Sequence, residues 1–424
     1  MRWSLLIATL GLAAPAAAQR QEVTLDEAVE RALTVQPAMV RARGEERDAG
    51  AARRAAYGAF LPSISTSTSA LRNSTERRDP NTNVVYPPGF TYAVGLSASL
   101  DQFNPFRRLA ERSAAGATLN AAQAGVVNQR FQVTLETKRF FYNALATEEL
   151  VRVAEAQVRR AQQQLQISIE KLRAGSATRS DSLRSTVDYG NARIARLQAQ
   201  ANLATAQANL GRQIGHDQPV RAATDTALPL LPDTGALRAR ALTSAPQIEQ
   251  AVALARRAGA QLTATRLQYL PNLTISYNDN QNGLSAPWRG ISGYNETYSW
   301  RFGLSWTLFN GFARERDQVN AAVARDAAEA DAADTRRRVS AELTQQIATL
   351  ATAHEQIAIA RSNVAAATED LRVQSERYRV GAATILDLLT SQSALTTAEV
   401  SLVQARFAYL IARAQVEALV GRTL

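Results

Sequence analysis

Histidine occurs only at His216 and His354, and cysteine is absent. A histidine-based zinc site or a Ser-His-Asp hydrolase therefore has almost no material here. Thiolate chemistry, disulfides and lipid attachment at cysteine are excluded. The only methionines are Met1 and Met39. The Glu148-Glu149 pair reads as a solvated helix face. No glycine-rich loop of phosphate-cradling form occurs. The reading is no catalytic residue, no cofactor, no metal and no enzyme. Two recurring carboxylates remain, Asp181 and Asp387. Each lies six residues beyond a glycine, Gly175 or Gly381, where it would cap a helix and suit its macrodipole.

The 424 residues carry a net charge of +10, nearly all of the basic side arginine, with lysine only at Lys138 and Lys171. A pI near 10.2 raises nucleic-acid binding. Charges of both signs scattered along the chain argue against it, because a nucleic-acid binder concentrates cations on one face. The N-terminus reads as a secretory signal. Arg2 precedes the apolar Trp3–Leu12, and Ala16-Ala17-Ala18 forms a small-residue cleavage site, so residues 1–18 are expected to be removed. No later run of about 18 apolar residues offers a spanning helix. Entry into a membrane would have to be by strands.

The sequence is a tandem repeat. Phe60-Leu-Pro-Ser-Ile64 returns as Tyr269-Leu-Pro-Asn-Leu273, and Gln36-Pro37 as Ala245-Pro246, both 209 residues on. Phe103-Asn-Pro-Phe106 returns as Phe309-Asn-Gly-Phe312, and Glu170–Gly175 as Glu376–Gly381, both 206 residues on. Asp181 and Gly215 recur as Asp387 and Gly421. The expected parsing is a first repeat over 19–215, a linker over 216–234 and a second repeat over 235–424.

Each repeat reads as helix, hairpin, long helix and returning helix. Thr24-Leu-Asp-Glu27 forms a capping box. A helix follows from about Ala38 to Phe60 and ends at Pro62. Hairpins are expected at about 61–100 and 270–309. In them Tyr92, Val94, Leu96, Ala98 and Leu100, and Trp300, Phe302, Leu304, Trp306 and Leu308, occupy alternate positions. Arg72–Phe90, with Asp79-Pro80 and Pro87-Pro88, reads as a loop. Long helices are expected over 106–173 and 312–379, each roughly 100 Å by helical rise. Returning helices are expected over 181–211 and 385–420. A 4-3 seam (Leu343, Ile347, Leu350, His354, Ile357, Arg361, Val364, Thr368, Leu371, Ser375, Tyr378) implies antiparallel coiled coils. The returning helices carry Leu183, Val187, Gly190, Ile194, Leu197, Ala201 and Ala204, and later Leu386, Leu389 and Val403 through Leu410. Gly175 and Gly381 supply the positive φ of tight turns.

Four strands of about ten residues can cross a bilayer when tilted, but cannot close a barrel alone. Single-chain barrels begin at eight strands, so several copies would have to pool their hairpins. Trp288, Trp300, Trp306, Phe90, Tyr92 and Tyr298 have the composition of an interfacial aromatic belt. The competing reading is a soluble periplasmic coiled-coil scaffold with no barrel. The alternation and the clustered aromatics argue against it.

The order and duplication of these features resemble the TolC-like family of outer-membrane efflux and export ducts. The resemblance covers about Glu22 to Gly421. It rests on Leu61-Pro62 and Leu270-Pro271, on Phe103-Asn-Pro and Phe309-Asn-Gly, and on the turns Arg173–Asp181 and Arg379–Asp387. It implies a mainly α fold with a membrane β-barrel segment: a homotrimer whose 12-stranded barrel continues into a 12-helix periplasmic tunnel. It also implies outer-membrane lipid, a periplasmic adaptor, and an inner-membrane pump of the RND or ABC type. By the resemblance, Asp387 lines the tip constriction, while Asp181 and Tyr378 tie helices shut. Thr390 stands where a second acidic residue is frequent. The turns with Gly175, Ser176, Thr178, Gly381 and Thr384 would receive the adaptor. Some members carry an acylated N-terminal cysteine, which this chain lacks.

Overall fold

The computed structural model describes residues 22–78, 83, 85–86, 88–224, 229–232, 235 and 244–424. The expected signal segment 1–18, Asp79-Pro80, Pro87 and the linker end Asp233-Thr234 lie outside the described residues. The elements in chain order are β1 (Glu22–Val23), α1 (Leu25–Val35), α2 (Pro37–Gly58), β2 (Ser63–Asn73), β3 (Arg77–Arg78), β4 (Val85–Tyr86) and β5 (Gly89–Phe103). Then come α3 (Pro105–Arg173), α4 (Arg179–Gln213), β6 (Arg221–Ala222), α5 (Pro246–Arg266), β7 (Asn272–Gly283), β8 (Asn295–Ser305), α6 (Ala313–Arg379) and α7 (Ile385–Val420). The fold is mainly α. No described helix is long and apolar enough to cross a membrane.

Two compact units cut across the repeats. One comprises Met1–Val40, Gln129–Ala239 and Ala341–Leu424; the other comprises Arg41–Asn128 and Arg240–Ser340. The second unit holds a four-stranded sheet in the order β2-β5-β7-β8, antiparallel throughout. The segment read as a loop over Arg72–Phe90 contains strand ends and the small β3–β4 ladder, because β2 runs on to Asn73. Strand β8 stops at Ser305. Trp306 therefore lies past the strand rather than on it, and its indole N–H donates to the Tyr269 carbonyl at 3.0 Å.

The repeated Asn of Phe-Asn-Pro and Phe-Asn-Gly explains where the long helices start. The Asn104 side-chain oxygen accepts the Arg107 N–H at 3.0 Å, and Pro105 occupies the first helical position. Asn310 accepts from the Arg314 N–H at 3.4 Å, after Gly311 turns the chain at φ 67°. At the start of α1, Thr24 accepts the Glu27 N–H at 3.3 Å, but the Glu27 carboxylate pairs with Arg31 at 2.6 Å. The expected capping box is thus half made.

The first unit is mainly helical; Phe141, Leu210, Leu350, Tyr409 and Val416 are buried in it, and Leu388 packs separately with Tyr378 and Ile385. Its seam differs from the expected one at four of eleven positions. Leu343, Ile347, Leu350 and Ile357 are buried, whereas His354, Arg361, Thr368 and Ser375 are exposed. Ala353 and Ala360 take the inward places instead. Alanine admits a close helix approach with no guanidinium or imidazole to desolvate. On α4 the apolar row Leu183, Val187, Ile194 and Leu197 faces outward, while Ser185, Ala192, Ala206 and Leu210 face the chain's own helices. On α7, Leu386 is exposed, while Leu388, Leu395, Val403 and Phe407 are buried. Arg160 makes a two-pronged bond to Glu399 at 2.9 and 3.2 Å, linking the two repeats. Lys138 pairs with Glu417.

Candidate functional site

Both helical hairpins turn by the same construction. In the first, the Gly175 N–H donates to Leu172 at 3.1 Å and the Ser176 N–H to Lys171 at 2.9 Å, with Gly175 at φ 74°. In the second, the Gly381 N–H donates to Tyr378 at 3.2 Å and the Ala382 N–H to Arg377 at 2.7 Å, with Gly381 at φ 81°. These bonds satisfy the last carbonyls of α3 and α6 through a left-handed glycine. Three residues later a threonine starts the next helix. Thr178 and Asp181 form a full capping box, and so do Thr384 and Asp387. The Asp387 carboxylate accepts the Thr384 N–H at 2.9 Å and its hydroxyl at 2.8 Å. The Thr384 backbone bond, then its hydroxyl, hold the Asp387 carboxyl below the ordinary aspartate value. Asp387 is exposed, so capping leaves its charge in solvent. Thr390 bonds back to the Leu386 carbonyl at 2.8 Å.

The structure does not bring Asp181 to Tyr378 within the chain. Asp181 is occupied by Thr178 at 2.8 Å. Tyr378 is buried against Leu371, Ile385 and Leu388. Its partner is Lys171, whose ammonium donates to the Tyr378 carbonyl and lies 4.1 Å from its ring centroid. Lys171 thus bonds a carbonyl in the last turn of α6, where the helix dipole favours a cation. Sequence reading missed this residue; its rarity as one of two lysines was the available signal. It also missed Asp370, which accepts the Ser391 hydroxyl at 2.5 Å. Asp370 and Thr390 line a groove of about 910 Å³ between α6 and α7, floored by Ala366, Ala367, Ala394 and Ala398.

The sheet has two chemically distinct faces, set by register. One carries the rows Ile64–Ala98–Tyr277–Trp300 and Leu100–Ile275–Phe302. Phe90, Tyr92 and Tyr298 share that face. Trp300 lies 4.8 Å from Tyr277 and stacks on Phe302, and Tyr92 meets Trp288 at 6.1 Å. The other face carries Ser63–Ser99–Ser276–Arg301, Ser65–Ser97–Asn278–Ser299 and Ser67–Gly95–Asn280–Thr297. Hydroxyls cross-link this face, Ser65 to Ser97 at 2.7 Å. A Cβ on Gly95 would come within 3.0 Å of Asn280 and Ser67, so the polar row closes over a bare backbone there. Among the described residues no cluster of three or more His, Asp or Glu could hold a metal.

The chain is matched by a family model described as outer membrane efflux protein, over residues 28–216 and 237–422. The chain belongs to the outer membrane efflux protein family. That membership assigns it to efflux at the outer membrane and not to enzymes. No curated protein matches it in sequence. Its fold is similar to that of the CmeC outer membrane channel of Campylobacter jejuni, at TM-score 0.79 and 16% identity, over 94% of this chain and 85% of that one. It is also similar to the outer membrane protein VceC of Vibrio cholerae, at 0.78 and 19%, over 94% and 96%. The open state of the MtrE outer membrane channel of Neisseria gonorrhoeae matches at 0.77 and 16%, over 94% and 89%.

Proposed function

We propose that three copies of this chain pool their sheets into a 12-stranded barrel and their helical hairpins into a 12-helix tunnel. The assembly is a passive export channel. Cargo reaches it from an inner-membrane pump of the RND or ABC type through a periplasmic adaptor. The observation that carries this reading is the four-stranded sheet with one aromatic face and two free edges, β2 and β8. In lipid, each unpaired backbone group at such an edge costs several kcal/mol. Pairing β8 of one copy with β2 of the next removes every edge. The Trp300 face then meets lipid and the Ser/Asn face lines the lumen. The outward Leu183–Leu197 row of α4 supports the same assembly, since a neighbouring copy would cover it.

At the tip, three Asp387 carboxylates would form a ring favouring cations. Thr390 in place of a second acid makes that ring single. An adaptor would dock at the turns of Gly175, Ser176, Thr178, Gly381 and Thr384 and along the alanine-floored groove between α6 and α7. The test is the native mass of the purified protein in detergent. A trimer is expected; a stable monomer, or extraction from cells without detergent, overturns the proposal.

A further inference from the structure

In the sheet-bearing unit, Arg53 and Arg112 converge on one phenol, that of Tyr57. The Arg53 guanidinium carbon lies 5.9 Å and that of Arg112 4.7 Å from the ring centroid. Arg53 sits one turn before Tyr57 on α2, and Arg112 reaches it from α3. Among the described residues neither arginine pairs with a carboxylate. The nearby Glu111 is taken by Arg107 and Arg108 at 3.3 Å each. Two guanidiniums without carboxylate partners thus meet at one phenol, an arrangement that an anion would stabilise. Tyr57 is 43% exposed, which leaves the cluster open to solvent. Both arginines hold its ionisation below the ordinary tyrosine value, chiefly through the Arg53 hydrogen bond.

The second repeat does not keep this cluster. At the corresponding places in the second repeat, 209 and 206 residues on, stand Leu262, Arg266 and Gln318. The second repeat has a different contact in this region, a single guanidinium of Arg314 over the Tyr269 ring at 4.6 Å, and does not keep the two-arginine arrangement. The cluster also has a definite place relative to the strands. Tyr57 lies in the last turn of α2, just before β2, and Arg112 lies in the second turn of α3, just after β5. Between it and the sheet lie the exposed apolar side chains of Leu61, Phe106 and Leu109.

We propose that Arg53, Tyr57 and Arg112 form a binding site for the phosphate of an anionic phospholipid in the periplasmic leaflet of the outer membrane. Two guanidinium forks donate to the phosphate oxygens and the phenol hydroxyl adds a third donor. The acyl chains lie over Leu109, Phe106 and Leu61 towards the aromatic face of the sheet. The proposal rests on the strands being in the membrane. All three residues belong to one chain, so the site does not depend on the trimer.

The test is titration of the full-length detergent-solubilised protein with phosphatidylglycerol, read by native mass spectrometry, beside Arg53→Gln/Arg112→Gln, Tyr57→Phe and wild type. A cation near an anionic headgroup is worth about fivefold in affinity, so the double variant should bind about thirtyfold more weakly. Tyr57→Phe should lose a smaller part. Phosphatidylcholine should bind weakly to all forms, and millimolar inorganic phosphate should not displace phosphatidylglycerol. Equal phosphatidylglycerol binding by wild type and double variant overturns the proposal. So does displacement by inorganic phosphate, which would make this a site for soluble anions. Thermal melting of the double variant should match wild type; a lowered melting temperature with unchanged lipid binding would show a bracing role only, and also overturns it. A protein that is monomeric in the same spectra yet binds the lipid would contradict the channel assembly and leave the site standing.

Discussion

Replacing Ile194 and Leu197 together by asparagine separates folding of the chain from its assembly. The two residues are 66% and 58% exposed on α4, and lie one turn apart on one face with Leu183 and Val187 at 57% and 62%. Full burial of such a side chain is worth about 1.5–3 kcal/mol, so covering what remains open contributes roughly 1–2 kcal/mol for each. Asparagine removes that gain and places two amides in a packed seam, at a cost of roughly 1–3 kcal/mol each when unpartnered. Each contact between copies should therefore weaken by roughly 4 kcal/mol or more, and a closed ring of three has three such contacts. Native mass spectrometry should show monomer where wild type gives trimer. Far-UV circular dichroism should be unchanged, because these positions touch little of their own chain. Ala192, fully buried on the opposite side of α4, gives the contrast: Ala192→Asn should lower the melting temperature of the chain itself. A double variant that stays trimeric with wild-type thermal stability would refute the assignment of this row to the interface.

Arg160→Met leaves Glu399, whose side chain is only 24% exposed, without its two-pronged partner. A loss of about 1.5–3 kcal/mol in chemical denaturation is expected, and an unchanged midpoint would contradict it. The lowered folded-state value of Asp387 means that its charge stabilises α7 above the ordinary carboxylate range near about 3.9, and that this contribution is lost as pH falls through the lower folded value. Asp387→Asn should therefore melt below wild type at neutral pH and converge with it in acid; a constant gap would be evidence against the capping account. The same variant should lower cation preference in planar bilayers if the three carboxylates face the pore. Lys171→Met frees the Tyr378 carbonyl and ring, and should raise single-channel open probability; indistinguishable gating would mean that Lys171 does not restrain the tip.

The parts of the fold that follow local rules were legible. Trp300, Phe302 and Leu304 alternate, so β8 can be read from its own residues. Gly381 followed by Thr384 and Asp387 contains both the helix stop and the next start within seven positions. What was not legible depends on residues far apart. Lys171 and Tyr378 are separated by 207 positions and Arg160 and Glu399 by 239, and no local pattern says which register will join them. The seam on α6 failed at alternate positions for a related reason. Steps of three and of four both satisfy a heptad, and the choice of Ala353 over His354 was made by the helix packed against it. On α4 the apolar row was expected in the coiled coil of the chain's own helices, but it faces outward. Within the chain, small residues such as Ala192 suffice, and the larger ones are left facing outward.

Single-channel recording of the purified protein in a planar bilayer tests the central claim most directly. The account predicts stepwise conductance carried by the trimer alone, abolished in the Ile194→Asn/Leu197→Asn monomer and altered in ion preference by Asp387→Asn. Trimeric protein that inserts into the bilayer and conducts nothing, in wild type and in Lys171→Met alike, would contradict the channel.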